Sequence, residues 1–589
     1  MTRALALALA LAALVLLPAT AGAHATLDGS DPERGARLDA APGQVTLRFS
    51  EGVEANFGAV RVFDAGGREV QTGETFHPGD RPREVSVKLR PDAGDGGYTV
   101  TYRVISADSH PVSGGFVFVV GDGAAPSTEV SELLDSDGAG PVTGTAFGAV
   151  RAVQYGSIAL GLGALIFALA CWLPALRAVA GAGAGWRDAS AAFARRLRAL
   201  LLGAGVAGAG SAVLALVLQG AVAGGTSFWG ALSASVIGDV LGTRFGVAWG
   251  LGAIAWLLIV MLVLSRPRAL PVLRPASVGA TGLALPGGAG LAVLGLPLAA
   301  LAALPAMGGH ASVQEPVALL LAANVVHVVS VSAWLGGIAV LVVALRAATA
   351  RLEAGDRSRL LAGAVGRFSA LAGVAIAALL ASGVVQGLVE VRTVPNLVET
   401  AFGRAVLIKV VLFGALVALG WVNRQRLLPA LARAAQGGES PGRTGVLLRR
   451  VLRAELALGV AALAVTGALA GYAPSIAESS GPFSTTADIG PARMEVTVDP
   501  ARVGPNELHV YLFDRRDGRQ FDATKELTIT AELAERGIAP VELEPTKAGP
   551  GHYVVSGAAL PVAGDWTVEV ASRVSDFDEY RTRFQLPIE

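Results

Sequence analysis

The chain has 589 residues, of which 52% are hydrophobic, and its mean hydropathy is +0.55, so it exceeds one domain and a purely soluble protein is disfavoured. Lys plus Arg and Asp plus Glu both number 47, so no overall charge favours nucleic acid or an acidic substrate as the partner. The single cysteine, Cys171, excludes an intrachain disulfide framework and cysteine-based zinc or thiol-redox motifs, which leaves seven histidines to carry most of the chemistry.

Residues 1–23 have the features of a secretory signal peptide. Arg3 provides the positive start, an apolar run covers positions 5–17, and Ala21-Gly22-Ala23 is a small-residue cleavage site. The apolar run is shorter than the roughly 20 residues that a spanning helix needs. We therefore predict export and cleavage after Ala23, which makes His24 the first residue of the mature chain.

Residues 24–122 are predicted to form a small all-β domain. Apolar residues alternate with polar ones or occur in short runs broken by Gly, Pro and Asp, as in Val45-Thr-Leu-Arg-Phe49 and Tyr98-Thr-Val-Thr-Tyr-Arg-Val104. Residues 123–147, rich in Gly, Asp, Ser and Pro, read as a flexible linker.

Residues 148–475 are predicted to form a transmembrane bundle of about eight helices, the fourth being the weakest prediction. The apolar segments are 148–174, 197–223, 243–264, 285–306, 317–345, 364–388, 404–423 and 452–473. Arginines concentrate at the first, third, fifth and seventh connections, whereas only Arg244, Arg392 and Arg404 lie near the other three. The positive-inside rule therefore places both ends of the bundle outside the cytoplasm, as an exported N-terminal domain requires.

Residues 482–589 return to alternating strands, as in Met494-Glu-Val-Thr-Val498 and Trp566-Thr-Val-Glu-Val570, and are predicted to form a second extracytoplasmic β-sandwich. The fold class is thus multi-domain, with an all-β domain on each side of an α-helical transmembrane bundle. Two histidines of the last domain, His509 in a strand and His552 in the turn before one, are more often structural than metal-binding in such positions.

The first candidate site consists of His24, Asp108 and His110. A mature N-terminal His24 offers its α-amine and its imidazole to one metal, and such nitrogen pairs favour Cu(II) among the divalent ions. On an extended backbone, Asp108 and His110 project to the same face and can approach that metal together. The simplest alternative is that these two residues only form a polar turn and that His24 is incidental.

Three stretches give the first domain a resemblance to a known family. His24-Ala-Thr-Leu-Asp-Gly-Ser-Asp-Pro32, Leu47-Arg-Phe-Ser-Glu51 and Ser106-Ala-Asp-Ser-His-Pro-Val-Ser-Gly114 resemble the CopC family of periplasmic copper carriers. The resemblance implies a Greek-key β-sandwich that holds Cu(II) with His24, Asp108 and His110. CopC-like proteins with a separate Cu(I) site have a methionine-rich segment, and this domain has no methionine between His24 and Val150.

The second candidate site lies in the bundle. His310 follows the fourth segment, and His327 lies about 15 Å into the fifth at roughly 1.5 Å per residue, a depth at which an ionisable residue normally marks a substrate, ion or cofactor position. A neutral His327 hydrogen-bonded across helices is the structural alternative. With Met307, these histidines form a candidate membrane path for copper, as Cu(I) because thioether and imidazole ligands suit that ion.

A resemblance to the CopD copper-resistance membrane family covers positions 148–475. It rests on Gly308-Gly-His-Ala311, Asn324-Val-Val-His327, Ser332-Ala-Trp-Leu-Gly-Gly337, Gly403-Arg-Ala-Val-Leu-Ile-Lys409 and Arg453-Ala-Glu455. The whole chain resembles CopC–CopD fusions of the YcnJ type, and its last domain resembles YtkA-like domains. The resemblance implies a multi-pass protein of the cytoplasmic membrane that binds copper outside and imports it for copper homeostasis or resistance.

Three other functions stay open at this stage. A copper-tolerance or sensing module would bind copper without moving it. A copper oxidase with an N-terminal histidine ligand is a second alternative, although Asp108 would occupy the position that oxygen needs, so we expect no enzyme activity. A haem-binding electron carrier with His310 and His327 as axial ligands is a third, and a Soret band would identify it.

The expected partners are copper ions, the lipid bilayer and, if a donor is needed, extracytoplasmic copper chaperones, but not nucleic acid.

Overall fold

A computed structural model describes residues 25, 27–34, 36–107, 109, 111–121, 140–180, 184–265, 288–314, 316–391, 393–472, 483–499, 501, 503–516 and 520–588. The predicted signal peptide, the predicted ligands His24, Asp108 and His110, and positions 122–139 of the chain lie outside these residues. For His310 only the backbone is described. The described residues divide into two compact units, one made of helices and one that holds both β domains.

In the described part of the N-terminal domain there are nine strands: β1 Leu27–Asp31, β2 Arg37–Leu38, β3 Gln44–Phe49, β4 Val53–Glu54, β5 Val60–Asp64, β6 Gln71–Phe76, β7 Glu84–Leu89, β8 Gly96–Ser106 and β9 Pro111–Val120. One sheet has the order β1-β3-β7-β6, and the other has the order β2-β9-β8-β4 with β5 also paired to β8. The chain therefore crosses repeatedly between the two sheets, as a Greek-key sandwich requires.

The alternation in the sequence explains how these sheets pack. In β3, Val45, Leu47 and Phe49 are at most 1% exposed, whereas the intervening side chains point away from the core. Strands of both sheets contribute to one hydrophobic core, in which the Phe49 and Tyr102 rings meet edge to face with 5.6 Å between centroids. The predicted all-β sandwich is confirmed.

The helical domain contains α1 Gly140–Phe167, α2 Leu173–Val179, α3 Ala184–Ala223, α4 Ala234–Gly242, α5 Arg244–Leu264, α6 Gly288–Met307, α7 Val317–Val331, α8 Gly337–Val343, α9 Leu345–Thr349, α10 Ala354–Glu390, α11 Asn396–Glu399, α12 Ala401–Val422, α13 Leu428–Gln436 and α14 Gly442–Leu469. Single π-helical turns, Ala168–Trp172, Ser332–Gly336 and Asn423–Leu427, join α1 to α2, α7 to α8 and α12 to α13. Helix α1 begins inside the segment predicted as a linker.

Within the described residues, seven continuous helices are long and apolar enough to cross a membrane. They coincide with seven of the eight predicted spans. At the fourth predicted span lies α6, which is apolar but counts as a shorter helix in its described part, Leu294–Met307. Two prolines, Pro297 and Pro305, lie inside α6.

A close contact between α1 and the π-turn after α7 depends on two glycines. A Cβ atom on Gly163 would overlap the carbonyl oxygen of Ser332, and one on Gly336 would overlap the carbonyl oxygen of Ala159. Small residues at helix crossings let two backbones approach closely, which is a main source of helix association in membranes. Gly336 belongs to the motif Ser332–Gly337 noted in the sequence, and the structure gives it this packing role.

The residues described for the C-terminal domain form nine strands: β10 Phe483–Ile489, β11 Ala492–Asp499, β12 Gly504–Asp514, β13 Glu526–Leu533, β14 Ile538–Leu543, β15 Thr546–Gly549, β16 His552–Leu560, β17 Gly564–Arg573 and β18 Glu579–Ile588. Two antiparallel sheets, β10-β11-β12-β16-β15 and β14-β13-β17-β18, enclose a second core. Trp566 is 1% exposed in this core, and its indole N–H donates to the Val562 carbonyl at 2.8 Å. The second predicted β domain is confirmed.

The glycine contact predicts a sharp difference between two substitutions in helices. We expect Gly163→Ala to lower the thermal midpoint of the detergent-solubilised full chain, because overpacking typically costs about 1–3 kcal/mol. Gly203→Ala in α3 is the control, since a Cβ there meets no atom within 4 Å. We expect it to leave the midpoint unchanged or raised. Equal midpoints for Gly163→Ala and the native chain would contradict the packing role.

Candidate functional site

One end of the N-terminal sandwich is defined by strand pairing. The first residue of β1, Leu27, pairs with Phe49 at the end of β3, and the last residue of β8, Ser106, pairs with Val53 at the start of β4. The chain from Phe49 to Val53 spans at most about 14 Å. The start of β1 and the end of β8 therefore lie at the same end of the sandwich, and the chain segments that carry His24 and Asp108 leave from there.

Strands β8 and β9 meet in a tight hairpin turn, because Ile105 pairs with Pro111. Within this turn the Ser109 N–H donates to the Ser106 carbonyl at 2.9 Å, and Ser109 has a φ of 73°. Sequence reasoning assumed an extended backbone here. That geometric argument is wrong, because a residue with left-handed φ reverses the chain instead of continuing the strand.

The turn is also tied to the Phe49–Val53 segment. The backbone N–H of Ala107 donates to Glu51 Oε1 at 3.4 Å, and Ala25 is 2% exposed in the core of the domain. Both chain segments that flank the predicted ligands are thus anchored. His24, Asp108 and His110 themselves lie outside the described residues, so their metal ligation stays a prediction.

In the helical domain, His327 makes a hydrogen bond between two helices. Its Nδ1 lies 3.1 Å from Ser382 Oγ on α10, and the Ser382 hydroxyl also reaches the Leu379 carbonyl of its own helix at 3.1 Å. Gly383 lies beside the His327 ring, where a Cβ would come within 3.6 Å of Cε1. His327 is therefore hydrogen-bonded across helices, as the structural alternative in the sequence analysis describes. Because this bond uses Nδ1, it leaves Nε2 for another ligand. Ser382 gave no signal in the sequence, because a lone serine in an apolar run is common.

Met307 and the His310 backbone lie at a different level from His327. Ala306 and Ala311, on either side of them, pack with Leu320 of α7 and Val389 of α10. From position 320 to 327 along α7, and from 389 back to 382 along α10, the distance is about 10 Å in each helix. The Met307–His310 region and His327 are therefore about 10 Å apart along the helices. The Met307 side chain, which is half-exposed, belongs to the first of these two regions.

Further polar groups surround His327. Asn324, one turn earlier on α7, has a buried Oδ1 with no hydrogen-bond partner among the described residues. The positive charge of Lys409 on α12 acts on His327, and the negative charge of Glu390 acts on Lys409.

A second buried polar contact joins α14 to the π-turn after α12. Glu455 is 2% exposed, and its Oε1 accepts a hydrogen bond of 2.7 Å from Asn423 Nδ2. Glu455 belongs to the motif Arg453-Ala-Glu455 of the sequence analysis, and its partner Asn423 lies 32 residues earlier in the chain. A buried charged or polar group needs such a partner in a low-dielectric interior.

The two histidines of the C-terminal domain are brought together. His509 Nδ1 lies 3.1 Å from His552 Nε2, and both side chains are buried. No group of three or more His, Cys, Asp or Glu side chains in the described part of the chain is arranged to hold a metal ion.

Comparison with protein families accounts for most of the chain. The CopC domain matches residues 27–121, the copper resistance protein D-like N-terminal domain matches residues 142–318, and copper resistance protein D matches residues 362–469. The copper transport protein CutJ of Bacillus subtilis (strain 168) is 30% identical over 580 residues, which cover 97% of this chain and 97% of CutJ. The chain belongs to the CopC–CopD fusion family.

Other relatives of this CopC–CopD fusion correspond to its first domain. Protein YobA of Escherichia coli (strain K12) is 32% identical over 118 residues, which are 20% of this chain and 95% of YobA. The crystal structure of CopC from Methylosinus trichosporium OB3b is 33% identical, covers 17% of this chain and 95% of that chain, and has a TM-score of 0.16. The relatives named for a function are named for copper transport or copper resistance rather than for catalysis.

The contact between His327 and Ser382 predicts a stability difference in the fusion. We expect Ser382→Ala to lower the thermal midpoint of the solubilised chain modestly, because hydrogen bonds between membrane helices contribute about 0.6 kcal/mol on average. Ser382→Thr keeps the hydroxyl and should behave like the native chain. The control is Thr466→Ala, which removes a hydroxyl bonded to the Ala462 carbonyl of its own helix. A larger loss from Thr466→Ala than from Ser382→Ala would contradict the bond between helices.

Proposed function

We propose that this CopC–CopD fusion captures Cu(II) outside the cytoplasmic membrane and transports copper across it, in the inward direction. The observation that carries the proposal is that one chain joins a CopC domain to a CopD domain and matches a copper transport protein along 97% of its length. The seven long apolar helices among the described residues fit a location in the membrane. Copper is the transported substrate in this account.

The capture site is formed by the α-amine and ring of His24 together with Asp108 and His110. Strand register supports this proposal, because the chain segments on which these residues lie leave the sandwich at the same end. Three nitrogens and one carboxylate oxygen form a tetragonal set that suits Cu(II) and excludes softer ions. The site needs cleavage before His24, since the amine exists only on a first residue.

The membrane path begins near Met307 and His310 and continues to His327. Two observations support this path. Near Met307 and His310, residues of α6, α7 and α10 pack against one another. About 10 Å further along α7, His327 has polar neighbours and is hydrogen-bonded to Ser382. A thioether and imidazoles favour Cu(I), so this path takes copper as Cu(I), and an external one-electron reductant supplies the electron that converts the captured Cu(II). Ser382 holds the His327 ring by Nδ1 and presents Nε2 as the ligand.

Arginine distribution supports the arrangement in the membrane. The odd-numbered connections carry the arginine clusters and are assigned to the cytoplasm, so both β domains lie on the extracytoplasmic side. In that position the first domain meets copper ions directly or receives them from extracytoplasmic copper chaperones.

The capture site is tested by Cu(II) titration of the full mature chain, read by EPR. We expect a nitrogen-rich tetragonal signal from a chain that starts at His24, and a lost or altered signal when one extra alanine precedes His24, because the amine then leaves the chelate. His77→Gln is the control, since His77 Nδ1 already lies 2.7 Å from the Glu84 carbonyl oxygen. Identical spectra from the native and the extended chain would contradict the capture site.

A further inference from the structure

The C-terminal domain carries an unusual pair of histidines on the outer face of a sheet. In β12 the side chains of Leu508, Val510 and Leu512 enter the core, so Glu507, His509 and Tyr511 point to the opposite face. His552 pairs with Tyr511 across the ladder, so it lies on this outer face and diagonal to His509. The sheet therefore brings two imidazoles and a carboxylate together.

These imidazoles are buried although they face away from the core. His509 is 5% exposed and His552 is 4% exposed. The His552 ring stacks on Tyr511 with 4.3 Å between centroids and 9° between planes, which fixes its orientation.

The distance between the two rings matches that of two ligands on one metal ion. Two nitrogens, each about 2.0 Å from a metal, are about 2.8 Å apart at a 90° ligand angle and about 3.3 Å apart at a tetrahedral angle. His509 Nδ1 and His552 Nε2 are 3.1 Å apart, between these values. No rearrangement of the strands is needed for both nitrogens to bind the same ion.

Glu507 has the position of a residue that orients a ligand. Its Oε1 lies 3.5 Å from His509 Nε2, a buried nitrogen with no hydrogen-bond partner among the described residues. A carboxylate oxygen beside His509 Nε2 favours the tautomer with a proton on that nitrogen. His509 Nδ1 is then the nitrogen with the lone pair.

We propose that His509 and His552 form a second copper site, in which His509 Nδ1 and His552 Nε2 bind Cu(II) and Glu507 positions His509. The side chain of Glu507 is 37% exposed, so the carboxylate beside the pair is in contact with solvent. Without metal, the His552 Nε2 proton lies between the two nitrogens. Metal binding requires the His552 tautomer with the proton on Nδ1, so one proton leaves Nε2 for solvent and one is taken up at Nδ1, because a ligating nitrogen must be unprotonated.

This site does not depend on the capture site in the first domain, and the test keeps the two apart. The full chain is prepared in a background with one extra alanine before His24 and with Asp108→Ala and His110→Ala. Cu(II) chloride is the probe, and bound copper is measured by EPR and by metal analysis after gel filtration. We expect the background to keep one equivalent of Cu(II) with nitrogen couplings, and His552→Gln to remove it.

Glu507→Gln keeps both ligands and should weaken Cu(II) binding in this background about 10- to 100-fold, because residues that orient a ligand typically have effects of this size. The Glu507→Gln variant also tests the proposed site if the His552→Gln chain does not fold. His77→Gln, in the first domain, should change nothing. An unchanged signal in a folded His552→Gln chain would show that the pair is only a hydrogen bond, and unchanged affinity in Glu507→Gln would contradict the positioning role of Glu507 in the proposed site. Equal binding by the native chain and the background would instead overturn the capture site.

Discussion

The hydrogen bond between His327 and Ser382 satisfies a strict requirement of the bilayer. An imidazole about 15 Å into a span has no water to bond with, so a neighbouring helix must supply its partner. Ser382 on α10 does this with its hydroxyl, which lies 3.1 Å from one ring nitrogen. The second ring nitrogen is then held in one orientation, which is the property that a metal ligand in a transport path needs.

The first β domain meets a different constraint in the proposed function, since it must hold a divalent ion in contact with water. In the first domain, the pairing of Leu27 with Phe49 and of Ser106 with Val53 sets the end of the sandwich from which the predicted ligands leave. A carrier fused to its transporter keeps the captured ion near the membrane, because a tether replaces diffusion with a high effective concentration. The histidine pair of the last domain would extend this capacity at a second position.

Much of the fold follows from local patterns in the sequence. Alternation predicted strands such as Gln44–Phe49, and apolar length predicted helices such as Ala354–Glu390, because each depends on which residues face water, lipid or the core. The site contacts depend on residues far apart in sequence. Ser382 and Asn423 gave no signal of their own, and neither did the contact between His509 and His552, which arises from strand register. The left-handed Ser109 was missed because a serine gives little warning of positive φ.

The central claim is that copper crosses the membrane by way of His327. Its most direct test is copper entry into liposomes that contain the full chain and enclose a fluorescent copper indicator, with a reductant outside. The account predicts entry with the native chain, a loss of entry with His327→Gln, and an unchanged Cu(II) EPR signal from the first domain in that variant. No entry with the native chain would favour a binding module, and equal entry with His327→Gln would contradict the path.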